Sequence, residues 1–385
     1  MTSESAIDVR WHPAAFHQVV EPDEYATLHG CLPSPRLFDG WDWLAASAEH
    51  LPKGRLHLTL VARDGDRLVA CLAFTCGSEW RYGLRVRTLR PLAAPYADRT
   101  EPVIAPQVPG LLERVLAALD SAPAPCDVLY WSELVIPRDL RKRIGACLSQ
   151  AGLRWAWRHS SHCPVLSLDG QIPPAPRRSS VRRELQRRRK KLSDLGTPLL
   201  EHLRPDPDGV DDLIAEVKAV EDQSWKGAEA VGLLSDPGRR SLFRDLFRRL
   251  SRRGALLYSR AQLDDRLVGY CIGFVHRGEC LYYSPGYLPE AGRHGIGRLL
   301  LADLIAHGHQ QGWSCIDASR TGLRVRHPLE DWEVAYIDHE ELQAYRGTIG
   351  GTTLYVLEQT VKPPVKQAWR LTRERLRSLR SAARK

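Results

Sequence analysis

Apolar residues recur at two periods along this chain, and the two alternate. Leu56–Arg63 and Arg67–Thr75 are strand-like runs separated by Asp64-Gly65-Asp66, a hairpin turn signal. Leu84–Leu92 continues the sheet. Pro109–Leu119 places Leu112, Val115, Leu116 and Leu119 on one helical face. Cys126–Trp131 reads as a buried strand and Leu140–Ala151 as a helix stopped by Gly152. A short helix with an aromatic face, Phe38–His50, precedes them. The second half follows the same order. Helices are predicted at Ser180–Leu195, Asp211–Ser224 and Pro237–Arg253, then strands at Ala255–Ala261, Leu267–His276 and Glu279–Ser284. A helix at Gly297–Gln311, a buried strand at Ser314–Ala318 and a last strand at Thr352–Gln359 complete the reading.

The halves also share sequence. Asp66-Arg67-Leu68-Val69 begins a run ending in Phe74, and Asp265-Arg266-Leu267-Val268 begins one ending in Phe274. Each follows an apolar strand and a turn, which indicates a duplication. The proline-rich stretch Asp169–Pro176 is the linker candidate. The expected architecture is therefore α/β, two tandem domains, residues 1–170 and 171–385, each a mixed sheet flanked by helices.

The 385 residues are 43% hydrophobic and 26% charged, ordinary for a globular chain. No stretch approaches the ~18 apolar residues of a membrane span. The Met1–Trp11 segment has no apolar signal core, so a cytoplasmic protein is expected. Nine cysteines form no CxxC pair and several sit in apolar runs; reduced core thiols are expected, and no metal is called for. The net charge of +9 is uneven. Arg177–Lys191 and Lys362–Lys385 each hold nine basic residues and one acid, +8 apiece, so the remainder is 9 − 16 = −7. Basicity thus resides in two helical segments, 177–195 and 362–385. They suit packing on the fold, an anionic membrane surface or nucleic-acid phosphate; they lack the interleaved aromatics of a base-stacking surface.

The segment richest in candidate chemistry is Cys280–Tyr287 followed by Arg293-His294-Gly295-Ile296-Gly297-Arg298. A strand enters a loop whose glycines open a long helix. Unpaired N–H groups and the helix dipole favour an anion there. Arg293, His294 and Arg298 add donors and charge. Neither a P-loop nor a dinucleotide fingerprint is present.

This loop resembles the pyrophosphate loop of the GNAT superfamily of acyl-CoA N-acyltransferases, Q/R-x-x-G-x-G/A. Gly295 and Gly297 fit the glycine positions; the Q/R position falls on Gly292, beside Arg293. Nearly the whole chain resembles the FemAB/CelD-like acyltransferases, which carry two GNAT-type domains in tandem. Leu92–Asp98 resembles their first-domain loop, Val181–Leu192 the basic helix opening their second domain, Ser224-Trp225-Lys226-Gly227 their SWKG element, and Asp317–Gly322 their D-F-x-x-G strand end. Where that family has Tyr-Lys, this chain has Val325-Arg326.

The resemblance implies one acyl-CoA site, in the second half, with the first half shaping the acceptor pocket. The donor would contact Tyr282, Ser284, Arg293, His294, Gly295, Ile296, Gly297 and Arg298. Backbone N–H groups of 282–284 would face the thioester oxygen. Asp317 or Glu279 would take the ammonium proton, directly or through water, and Tyr283 or Tyr287 would protonate the leaving thiolate. Asp317 equally fits a cap or a structural salt bridge. Trp225 and Lys226 would contact the acceptor, a small-molecule amine or cell-envelope precursor; core packing and a solvated lysine are their structural alternatives. Arg320 and Arg326 would bind an acidic acceptor or the donor's phosphates. Two other readings remain: an aminoacyl-tRNA-dependent, Fem-like ligase with tRNA on the basic helix, and a non-catalytic GNAT-like binding module.

Overall fold

The computed structural model of the protein describes residues 7–94, 96–323 and 325–361. The basic segment 362–385 lies outside the described residues. The first half supplies strands β1 (Asp8–His12), β2 (Leu56–Asp64), β3 (Arg67–Arg81), β4 (Leu84–Pro91), β5 (Val128–Leu134) and β6 (Arg154–Ser167). The second supplies β7 (Pro198–Leu203), β8 (Leu256–Leu263), β9 (Arg266–His276), β10 (Glu279–Tyr287), β11 (Cys315–Asp317) and β12 (Ala335–Tyr345). The helices are α1 (Pro22–Gly30), α2 (Trp41–Glu49), α3 (Leu111–Ala117), α4 (Arg138–Gln150), α5 (Ser179–Ser193), α6 (Val210–Asp222), α7 (Trp225–Ala228), α8 (Pro237–Arg252), α9 (Pro289–Arg293), α10 (Ile296–Gln310) and α11 (Ile349–Tyr355).

All twelve strands form one sheet in the order β1-β2-β3-β4-β5-β12-β6-β11-β10-β9-β8-β7. From either end, five strands of one half are followed by the last strand of the other. β6 leaves the first half to pair with β11, and β12 leaves the second to pair with β5. Two pairs are parallel, β4 with β5 and β10 with β11, and they hold equivalent places in the two halves. β3 and β9, which carry the repeated sequence, are equivalent too. The duplication is thus visible in topology.

Local sequence accounts for most elements. Buried residues run almost unbroken from Leu68 to Cys76 in β3, as expected of a strand covered on both faces. α8 starts at Asp236, whose carboxylate accepts from Arg239 N at 2.8 Å, with Pro237 in its first turn. Its buried Leu242, Phe243, Leu246, Phe247 and Leu250 follow helical spacing. One hydrophobic core is continuous through both halves.

The expected last strand, 352–359, is not a strand. Thr348 caps α11 by accepting from Gly351 N at 3.0 Å, and a wider helical turn follows to Val361. Its β-favouring Thr, Tyr and Val are overridden by packing: Leu354 is buried, and Glu358 turns inward to accept from Tyr130 and Tyr345 at 3.0 and 2.7 Å. The closing strand is β12. Strands β1, β6, β7 and β12 and helix α1 escape the sequence reading; β6 and β12 are rich in polar residues because they form the seam between the halves.

Candidate active site

β10 and β11 are paired only over Glu279↔Cys315 to Leu281↔Asp317. Beyond Leu281 they part, leaving one edge of β10 without a strand partner. Within that stretch β10 bulges between Tyr282 and Ser284 against β9. A bulge frees a residue from the ladder and redirects its backbone. Tyr283 is the residue left out of the ladder, in the 282–284 segment expected to supply donors for a thioester oxygen.

The first half is interrupted at nearly the same height. β4 ends at Pro91, opposite Phe74. The chain leaves the sheet and rejoins it where Cys71 N donates to Val103 O and Ala105 N to Val69 O. One residue bulges in β10; about ten leave the sheet here. This excursion brings Tyr96, Asp98 and Arg99 to the second half. Asp98 accepts from Ser319 Oγ at 2.7 Å and is 8% exposed. Burial pushes its carboxyl up to about 7, against the opposing effect of the Ser319 hydrogen bond. Tyr283 donates its phenol proton to Tyr96 O at 2.8 Å, its ring among Phe38, Trp43, Phe243 and Phe274.

Beneath lies a buried polar chain. Arg99 binds Asp317 through both guanidinium ends, one at 2.6 Å, and donates Nε–H to His339 Nε2 at 3.1 Å. That bond leaves His339 Nδ1–H to donate to Glu133 at 2.9 Å. Burial lowers the imidazole's pKa despite Glu133. Glu133 also pairs with Arg320 at 3.2 Å. Glu133, near the end of β5, and Ser319, just past β11, both have positive φ, 58° and 61°. Such conformations in non-glycine residues are costly and cluster at functional sites.

Lys226 approaches from the other side, only 7% exposed, and donates to Ser284 Oγ at 2.9 Å and Tyr270 Oη at 3.3 Å. Tyr270 in turn donates to Glu221, which also accepts from Leu233 N and Leu234 N. Desolvation lowers the lysine's pKa. Ser224 caps α7 by accepting from Lys226 N, and so fixes where this lysine starts.

At the start of α10, Gly295 has φ +77°. A side chain there would collide with Arg188 of α5. Tyr287 packs between two other glycines: a Cβ at Gly292 would meet its ring at 2.7 Å and one at Gly297 at 3.0 Å. The Q/R position is therefore filled by an aromatic ring. Ile296 and Gly297 open the helix and have no carbonyl one turn back. Arg188 is held by Glu184 at 2.8 Å, Arg298 reaches Asp331 at 3.3 Å, and Arg326 reaches the same carboxylate at 2.5 Å. The basic helix α5 is thus packed on the loop with guanidinium groups around it.

A cleft of about 370 Å³ lies over Tyr283 and Ser284, walled by Tyr96, Asp98, Arg239 and Arg320. It shares Tyr96, Arg239 and Arg320 with a cavity of about 680 Å³ whose walls come mostly from the first half.

The expected site residues divide accordingly. Ser284, Lys226, Arg320 and the backbone of 282–284 converge at the cleft. Tyr282 is buried with its ring edge-on to His327. Arg293 is exposed and His294 half-buried beside Gly295. Asp317 is not a free base: it is 1% exposed, bound by Arg99 and by Ser319 N at 2.8 Å, and so is the structural salt bridge. Glu279 stands at the far end of β10, five residues or ~16 Å from Ser284. Tyr283 has its hydroxyl committed to Tyr96. Lys226 is buried rather than solvated, whereas Trp225 is 50% exposed. Arg326 faces Asp331 and belongs to the loop. The missed carboxylate is Asp98; its signal was the Leu92–Asp98 motif, but only the strand excursion shows where it goes.

Residues 179–325 match the sequence profile of the acetyltransferase (GNAT) domain family. Among solved structures, the chain is similar to FemX, with 10% identity, TM-score 0.56, and 88% of this chain and 98% of that one covered. It is similar to a tandem GNAT protein from the clavulanic acid biosynthesis pathway (14%, TM-score 0.53, 89% and 99%). It is also similar to L-PGS from Bacillus licheniformis (13%, TM-score 0.53, 87% and 96%). No curated protein sequence matches. The chain has the tandem-GNAT fold, the architecture of the GNAT acyltransferase superfamily. The family match lies in its second half, and all three structures are similar over nearly the whole chain. Among the described residues no helix is long and apolar enough to cross a membrane.

Proposed function

We propose that the protein transfers an acyl group from an acyl-CoA thioester to an amine. The observation that carries this reading is the cleft over the β10 bulge, which Tyr283 and Ser284 line together with a buried carboxylate, Asp98, whose pKa is pushed up to about 7. The nucleotide phosphates would lie at the start of α10, near Arg188, Arg293 and Arg298, and the acyl group would enter between β10 and β11. N–H groups of 282–284 would stabilise the oxyanion. Asp98 would accept the ammonium proton; a base with a pKa near the working pH suits that step. Lys226, through Ser284, would orient the bulge and add positive charge. The amine would arrive from the larger cavity, and proximity would supply much of the acceleration.

The test is thiol release from acetyl-CoA and longer acyl-CoAs with a panel of amines. Amine-dependent release, lost in Asp98→Asn, is expected; no release from any thioester would contradict the reading. A second reading has one observation in its favour. Arg188 lies across the approach to Gly295, and α5 presents further arginines beside it, a surface suited to a larger polyanion. An aminoacyl-tRNA donor, as in a Fem-like ligase, would use it, and tRNA binding without acyl-CoA binding would select that donor.

A further inference from the structure

We propose that the 680 Å³ cavity is an acceptor site for an amine carrying an anionic group, phosphate or carboxylate, at least about 10 Å from its nitrogen. This rests on the acyl-transfer reading for where the nitrogen goes, but not for the anion site itself.

The anion site is built by β2 to β4. Glu79 is the only carboxylate paired with Arg55, Arg81 and Arg90 among the described residues, at 2.6, 3.6 and 2.9 Å. Three guanidinium groups share one carboxylate; of these Arg55 and Arg90 line the cavity with Glu79, which leaves an excess of one positive charge on that wall. Burial alone would raise the Glu79 pKa, but the hydrogen bonds and charges of Arg90 and Arg55 outweigh it and hold it at about 2. The carboxylate is therefore spent. Arg90 gives it both Nε and Nη2, and Thr88 adds a hydroxyl at 2.9 Å. Arg55 and Arg90 line the cavity and are only 24% and 20% exposed, so water cannot fully compensate them.

The arrangement is held from two sides. Arg55 crosses β3 at Gly77, where a Cβ would meet Arg55 Cγ at 2.9 Å. Arg81 and Arg90 lie over the Tyr130 ring, 5.0 and 4.8 Å from its centroid. Planar guanidinium groups fixed in this way suit a phosphate or carboxylate.

The distance follows from register. Leu89 pairs with Leu129, which puts Arg90 level with Tyr130. Glu133, paired with the Arg320 that cavity and cleft share, is three residues further along β5, ~10 Å away. Glu341 on the wall suits an ammonium group. An α-amino acid, whose carboxylate adjoins its amine carbon, is too short to span the site. An amino-sugar phosphate or a short peptide has the required reach.

The experiment is calorimetric titration of the full chain with four probes: glycine, octylamine, 8-aminooctanoate and 8-aminooctyl phosphate. Either long anion should bind about tenfold or more tightly than octylamine and glycine, and the tighter of the two identifies the anion. The preference should fall below about threefold in Arg90→Gln and in Gly77→Ala, which displaces Arg55 without removing a charge; thermal melting checks the fold. Absence of binding by both long anions, equal binding of octylamine, or a preference intact in both variants would overturn the proposal. Acetyl-CoA is titrated in parallel. If it fails to bind while the anion preference holds, the acyl-CoA reading falls and the anion site stands.

Discussion

Asp98 concentrates the chemistry and the cost of the site. Its carboxyl titrates at about 7 in the fold, against a usual 3.8. The folded chain thus holds this proton more tightly than the unfolded chain. The associated stability is complete below about pH 4 and is lost as pH rises through 7. Activity should run the other way, rising with an apparent pKa near 7 as the base becomes available. Asp98→Asn should therefore cut turnover roughly 10²–10⁴-fold. At pH 8 it should raise the melting temperature, because a neutral amide still accepts from Ser319 without burying a charge. A pH–rate profile and melts at pH 5 and 8 measure both; a variant active at wild-type rate would remove Asp98 from the reaction. Arg99 is the complementary case. Arg99→Met leaves Asp317 charged and buried without a cationic partner, and about 3–5 kcal/mol of stability should be lost in urea unfolding. Arg99→Met combined with Asp317→Leu should recover much of it.

Among the elements, those readable in the sequence are those whose local residue pattern reports burial or turning directly. α8 shows its stripe, β3 its apolar run, and the hairpin turn at Asp64-Gly65-Asp66 its turn residues. β6 and β12 do not, because a strand at a polar seam carries His159, His162, Asp338 and Glu340 where a core strand would carry valine. Thr352–Gln359 misleads for the opposite reason, its β-favouring residues being packed as a helix. The site shows the same division. Gly295 and the 282–284 backbone follow from a local motif. Asp317 also sits on a motif, yet its role depends on Arg99, 218 residues away in sequence. Asp98 acts on a strand of the other half, which no local pattern reports. At element scale the start of α10 is the test. Gly295→Ala forces a side chain into positive φ and against Arg188. It should cost about 1–2 kcal/mol of stability and weaken donor binding more than amine binding. Equal loss of both would point to a general disturbance of the fold.

On the scale of the whole molecule, the exchange of β6 and β12 makes the halves interdependent. Each five-strand half ends on a strand belonging to the other, and the polar chain Glu133–His339–Arg99–Asp317 crosses the junction. Chains ending at residue 170 and starting at 171 should each fail to give a cooperative unfolding transition alone. Mixed, they should recover a melt close to that of the intact protein, which circular dichroism follows directly. Two independent melts would mean that the exchange is dispensable. The same interdependence brings the β10 bulge of one half and the Asp98 carboxylate of the other to one cleft; on the proposed reading, one copy of the duplicated fold would serve the donor and the other the acceptor.

The most direct measurement is calorimetric titration of the intact protein with acetyl-CoA, repeated with Gly295→Glu. Binding by the wild type and its loss in a folded variant are expected, since the new side chain would collide with Arg188 and add negative charge where phosphates should sit. Absence of wild-type binding, or unchanged binding in the variant, would contradict an acyl-CoA site at the start of α10.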